Sequence, residues 1–417
     1  MGRWVICVVL VLGAGLAAMP AAADDTVDEF AAADAHALAA PESVATSVSA
    51  LSAYLVESAQ NDRDKARAIF RWITLNVAYD VSARADSRDA EIVLSRRRVI
   101  CYGYAVLFKA LAEASGLEAE VVIGHSKRSA PDLLEEPDAR PNHAWNAVRI
   151  SGEWQLVDSC WGAGYLDEHR RFVPSFNAHY FLTPPEVFVY DHFPLDPGRQ
   201  LLDPPISEDE YLRRVHVRPP FFDCGLRLVS HQSAVIDADE SLTVTIGAPA
   251  ETLLTAALYL DGWDLQDGCT FAQRDADGVV VRARFPTAGA YVLRIFARRQ
   301  DAPGNEYAWA LDYAVRARSG AQSEGGFPRV YQSFLARNCR LDGALSRTLP
   351  AGEPVEFSLT VPGAEDVVVA TGGSLRRLPA DGSRFTGEVP VSPGPVVVFA
   401  RFAGGPAYEG LLQYTGR

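Results

Sequence analysis

The chain has 417 residues, 48% hydrophobic and 22% charged, with a formal net charge of −14. That length suits two or three domains, each with its own core, and the balance is that of a globular rather than a disordered protein. The acidic surplus argues against nucleic acid or an anionic membrane surface as a partner. Beyond the N-terminal run, no stretch is long and apolar enough to span a bilayer.

Met1-Gly2-Arg3, the apolar run over 5–18 and Ala21-Ala22-Ala23 before Asp24 follow the three-part plan of a secretory signal peptide. Residues 1–23 are therefore expected to be removed, leaving an exported protein, secreted or periplasmic. A membrane anchor is the alternative, opposed by the shortness of the run. With Cys7 in that segment, Cys101, Cys160, Cys224, Cys269 and Cys339 remain, an odd set without CxxC spacing. A free thiol is expected and a structural zinc site is not, while a Cys224–Cys269 bridge stays open.

Residues 24–41 are Ala- and Asp-rich and read as a loose lead-in. The stretch 43–59 predicts an amphipathic helix through Val48, Leu51 and Leu55. Asn61 predicts the cap of another, with Asp62 and Asp64 in its first turn and Ala66, Ile69, Phe70 and Ile73 on one face. A short helix over 89–95 precedes the one that matters most. Ala105, Phe108, Leu111 and Ala112 recur at helical spacing after Cys101, which puts the thiol at a helix N-terminus, and Gly116 ends the helix. Unpaired N–H groups and the positive end of the helix dipole favour a thiolate there.

The stretch 118–125 alternates as a strand, and 126–141 is a Pro- and acid-rich loop long enough to be a functional flap. Two further strands, 142–150 and 153–161, flank Ser151-Gly152. If that dipeptide is a two-residue hairpin loop, Ile150 faces Glu153, Trp145 faces Asp158 and His143 faces Cys160. His143 and Asp158 then become diagonal neighbours at roughly 7–8 Å between backbones, within reach of each other's side chains. The aromatic, Pro-rich region 180–205 is expected to wrap this domain. After about residue 218 the pattern changes to short strands between Gly, Pro and Asp turns, in two related segments of about a hundred residues, joined by the Gly/Ser-rich 319–326.

A thiol at a helix start, a histidine on a strand and an aspartate beside it supply a nucleophile, its base and a group to orient that base. The blocks Ala68-Ile69-Phe70-Arg71-Trp72-Ile73, Cys101-Tyr102-Gly103-Tyr104-Ala105, His143-Ala144-Trp145-Asn146 and Trp154-Gln155-Leu156-Val157-Asp158 resemble the transglutaminase-like superfamily of papain-type thiol enzymes. Asp191-His192-Phe193-Pro194, Gln200-Leu201-Leu202 and the appended β modules resemble its kyphoscoliosis-peptidase type. The resemblance implies an α+β papain-like core followed by two all-β, immunoglobulin-like sandwich modules, with Cys101, His143 and Asp158 as the triad. Two positions depart from it. Cys160 stands where the related motif has a small hydroxyl residue, either as a packed thiol or as a disulfide partner of Cys101, and Arg199 replaces a tryptophan.

The expected boundaries are 1–23 for the signal peptide, 24–215 for the catalytic domain, and 216–320 and 326–417 for the β modules. The expected function is acyl transfer from protein or peptide amides of the cell envelope through a thioester on Cys101, without cofactor or metal. The alternative is a binding or scaffolding protein that keeps the fold without turnover. Of the oxyanion donors, the Cys101 backbone N–H is one candidate and Trp161 another. Metal ligation by His125, His143, Cys160 and Asp158 has no recognised spacing. The turns Asp237-Ala238-Asp239 and Asp275-Ala276-Asp277-Gly278 are read as turn formers rather than calcium ligands.

Overall fold

The computed structural model of the chain is described over residues 29–83, 88–127, 140–167, 169–265, 268–321, 325–405 and 407–417. The expected signal segment and most of the expected flap over 126–141 lie outside those residues.

The N-terminal domain starts with helices α1 (Ala31–Leu38), α2 (Val48–Leu55), α3 (Asp62–Asn76), α4 (Ala90–Arg96) and α5 (Cys101–Ala114). The lead-in expected to be loose folds into α1 because it has a surface to fold on. Ala33 and Ala37 are buried, and Arg67 of α3 donates to both oxygens of Asp34 at 2.6 and 2.8 Å. Helix α2 starts later than expected, where the Ser47 hydroxyl accepts the Ala50 N–H. Asn61 caps α3 as its sequence predicts, accepting the Asp64 N–H at 3.0 Å.

Helix α5 follows Ile100, an extended residue that offers no side-chain cap. It ends at Gly116, whose positive φ of 85° permits two closing bonds, Leu117 N–H to the Ala112 carbonyl at 2.9 Å and Gly116 N–H to the Glu113 carbonyl at 3.0 Å. Tyr104, Leu107, Phe108 and Leu111 are buried along the helix. Each such side chain contributes about 1.5–3 kcal/mol on burial.

Helix α5 lies on a five-stranded antiparallel sheet in the order Phe181–Thr183, Glu153–Val157, His143–Ile150, Ala119–Ser126, His192–Pro194. Asn146 ties helix to sheet, its side-chain amide donating to the Ala105 carbonyl at 2.9 Å and the Glu120 carbonyl at 3.0 Å. Ser151 and Gly152 both have positive φ, 51° and 92°, as a two-residue hairpin loop of this hand requires. Ile150 pairs with Glu153, and the ladder runs back to Asn146 opposite Val157.

There the expected register stops. Asp158 leaves the sheet to cap helix α6 (Ser159–Ala163), accepting the N–H groups of Cys160 at 2.8 Å and Trp161 at 3.1 Å. Trp145 and Asp158 are thus not a ladder pair, and Cys160 lies on a helix rather than opposite His143. The capping bonds compete successfully with two more rungs of sheet.

Two β-sandwiches follow with one topology. In the first, Ala308–Ala317 pairs with Gly289–Arg299, with His216–Val217 and, in parallel, with Val235–Ala238. In the second, Glu409–Gly416 pairs with Gly394–Phe402, with Arg329–Val330 and, in parallel, with Thr348–Leu349. Tyr313 and Tyr414 are fully buried in the corresponding strands. Each sandwich opens with a short helix, Pro219–Asp223 and Gln332–Ala336, and the Phe221 and Phe334 carbonyls accept from Leu226 and Cys339 N–H. This is the internal repeat expected from sequence.

Gly124 sits opposite His143 on one side and Pro194 on the other. A Cβ at this position would run into the Phe193 carbonyl and stand 2.6 Å from the Trp145 ring. Gly124→Ala should therefore destabilise the N-terminal domain by about 1–3 kcal/mol. Urea unfolding should show a lower midpoint at unchanged slope. An alanine variant as stable as the wild type would mean that the 192–194 strand does not dock this closely.

Candidate active site

Cys101 is the first residue of α5, where a backbone N–H has no partner within the helix. His143 is the first residue of its strand and Asp158 the N-cap of α6. The structure brings these three together. His143 Nε2 lies 2.7 Å from Asp158 Oδ2, which leaves Nδ1 for the thiol, and His143 is the group that acts on the Cys101 thiol. Exposure is 9% for Cys101, 6% for His143 and 1% for Asp158, so little water screens the set.

A second imidazole stands behind the first. His192 Nε2 lies 3.0 Å from the same Asp158 Oδ2, and its Nδ1 lies 2.6 Å from Asp191 Oδ1. A carboxylate lies at each nitrogen, an arrangement that favours the doubly protonated imidazolium. Its ring is stacked on Phe188 at 3.9 Å between centroids. The Tyr180 hydroxyl approaches Asp191 Oδ2 at 3.4 Å.

Proton affinities follow from these contacts. Burial alone would raise the Cys101 thiol, but the hydrogen bond and charge of His143, with the Ala144 N–H, outweigh it and hold the thiol below its ordinary value. Burial likewise opposes charge on His143, yet the Asp158 carboxylate and the bond to Cys101 push the ring up to about 10. For His192 burial is again outweighed, first by Asp191, and the ring is raised. Burial would raise Asp158; the two imidazoles hold it well below the usual carboxylate range. A thiolate–imidazolium pair is the form this environment favours, and it is a nucleophile with a proton carrier beside it.

The sequence profile of the transglutaminase-like superfamily matches residues 49–159, and that of the KY-like, immunoglobulin-like domain matches residues 208–328. The chain carries a transglutaminase-like domain joined to a KY-like immunoglobulin-like domain. Kyphoscoliosis peptidase of Mus musculus is 31% identical over 271 residues, 63% of this chain and 39% of that protein. Hillarin of Drosophila melanogaster is 31% identical over 277 residues, 58% of this chain and 33% of that protein. Cytokinesis protein 3 of Schizosaccharomyces pombe is 26% identical over 189 residues, 44% of this chain and 21% of that protein. The chain thus spans well under half the length of these curated relatives.

In the transglutaminase-like domain, the role of His192 and Asp191 was not legible from spacing, although their motif was one of the blocks carrying the resemblance. Its signal was chemical: a histidine beside an aspartate in an otherwise apolar strand, where neither is stable without partners. His143 and Asp158 group with His192, not with His125 and Cys160, as the cluster in which a cation could be held. The 2.7 and 3.0 Å spacings are those of hydrogen bonds. Cys101, Cys160, Cys224, Cys269 and Cys339 are all thiols, so neither the Cys101–Cys160 nor the Cys224–Cys269 bridge forms. Arg199, the second departure, lies over the Trp154 ring and pairs with Glu120 at 2.6 Å.

Reactivity toward iodoacetamide reads the thiolate. Because the Cys101 value is lowered, the onset of alkylation should fall below pH ~8.5, the ordinary thiol value. In His143→Ala burial acts without its counterweight, so the onset should move above that value. His192→Phe, which leaves Asp158 a single imidazole, should move the onset in the same direction by a smaller amount. An unchanged profile in His143→Ala would contradict the ion pair.

Proposed function

We propose that the protein is a cysteine-dependent acyl-transfer enzyme that opens protein or peptide amides through a thioester on Cys101, with water as the ordinary acceptor. The observation that carries this reading is the buried series Cys101, His143, Asp158, in which Asp158 fixes His143 at 2.7 Å and His143 lowers the proton affinity of the thiol. The name of its relative, kyphoscoliosis peptidase, supports a peptidase over a cross-linking enzyme. The signal-like segment over 1–23 supports a substrate in the cell envelope or beyond it.

In the first step the Cys101 thiolate attacks the amide carbonyl carbon, and the Cys101 N–H at the uncapped helix start is placed to stabilise the oxyanion. The C–N bond breaks as the His143 imidazolium gives its proton to the departing amine. Neutral His143 then takes a proton from water as water attacks the thioester. The acid leaves, and the thiolate–imidazolium pair is restored. Asp158 remains ionised and holds the ring through Nε2.

A proteome-derived peptide library should acquire new N-termini with the wild type. Cys101→Ala and His143→Ala should lower that rate about a thousandfold or more. Turnover should fall on the alkaline side as His143 loses its proton near about 10. Peptide-amine adducts formed in added primary amine would assign amine transfer instead of hydrolysis. Intact peptides, with Cys101 no more reactive than an exposed thiol, would leave the scaffolding alternative.

A further inference from the structure

A cavity of about 300 Å³ opens beside the triad. Its lining residues include the aromatics Tyr79, Trp161, Phe172 and Tyr180, together with His143 and Arg218. It reaches the imidazole that would carry the proton and is not lined by Cys101. An occupant therefore sits on the side from which an amine departs, rather than on the acyl side that stays on sulfur.

Arg218 comes from the segment that enters the first sandwich, just after the His216–Val217 strand. Its backbone N–H is fixed to the Ala310 carbonyl at 2.8 Å, and its guanidinium lies over the Trp309 ring at 5.0 Å. Among the described residues no ion pair or side-chain hydrogen bond engages that guanidinium. The carboxylate in its neighbourhood, Asp312, is already held by Arg294 at 2.9 and 3.0 Å. A half-buried cation in a largely aromatic cavity is costly to cover with a neutral group and is relieved by an anion. The planar fork of arginine matches a carboxylate in particular.

We propose that this cavity is the leaving-group subsite and that Arg218 selects a carboxylate borne by the amine half of the substrate. The inference rests on the acyl-transfer reading and deepens it: the β-sandwich contributes a specificity residue to the catalytic cleft. The carboxylate belongs either to an acidic side chain after the bond attacked or to a chain terminus.

The test is equilibrium binding to full-length Cys101→Ala protein, followed by NMR, which needs no turnover. The probes are N-acetylglutamate N-methylamide, its glutamine counterpart, and N-acetylglycine with a free α-carboxylate. At least one acid should bind about tenfold tighter than the neutral amide. That preference should vanish when Arg218→Gln is added and be only partly kept with Arg218→Lys, which retains the charge but not the fork. Preference for the glutamate probe assigns an internal acidic residue, and preference for acetylglycine assigns a chain terminus; either supports the subsite. Equal binding of acid and amide, a preference that survives Arg218→Gln, or no binding of any probe would overturn it. The acyl-transfer reading fails separately, through peptides left intact by the wild type.

Discussion

One carboxylate oxygen holds the site together. Asp158 Oδ2 meets two imidazole nitrogens at 2.7 and 3.0 Å, while its partner Oδ1 accepts two backbone N–H groups of α6. Every bond to this buried carboxylate comes from a donor, and the charges alternate outward from it: imidazolium and thiolate on one side, imidazolium and Asp191 on the other. Alternation is what makes the burial tolerable. An isolated buried charge costs several kcal/mol, and removing one member of a buried pair typically costs about 3–5 kcal/mol.

The fold can be understood as the means of converging these groups from distant parts of the chain. Cys101 rides on a helix fixed to the sheet by Asn146, His143 starts a central strand, Asp158 turns the next strand into a helix, and His192 arrives on an edge strand that docks across Gly124. Beyond that strand, Lys127 donates to the Tyr211 and Arg214 carbonyls, and His179 stacks on Phe222 of the first sandwich. The sandwich is therefore in contact with the walls of the site, which gives the joining of these domains a physical consequence.

Much of this was legible in the sequence, where a feature depends on local rules. The cap at Asn61, the helix start at Cys101, the Gly116 stop and the Ser151-Gly152 loop are set by neighbours in the chain. Features set by tertiary contact were not. Helix α1 has alanines too weakly apolar to show a pattern, and it exists because Arg67 and α3 receive it. The hairpin ladder could be counted correctly to Val157, but not beyond it, since Asp158 has a choice between another rung and a helix cap. The second imidazole was the largest omission: its partner Asp158 is thirty-four positions away in the chain, and no periodicity connects them.

The charges around Asp158 alternate only if His192 is a cation between its two carboxylates. Nitrogen-15 NMR of histidine-labelled protein measures this directly, because the shifts distinguish protonated from bare ring nitrogens. Both nitrogens of His192 should still be protonated above the ordinary histidine value of about 6.5. A His192 ring that is neutral at pH 7, with one bare nitrogen, would contradict the alternating charge arrangement around Asp158.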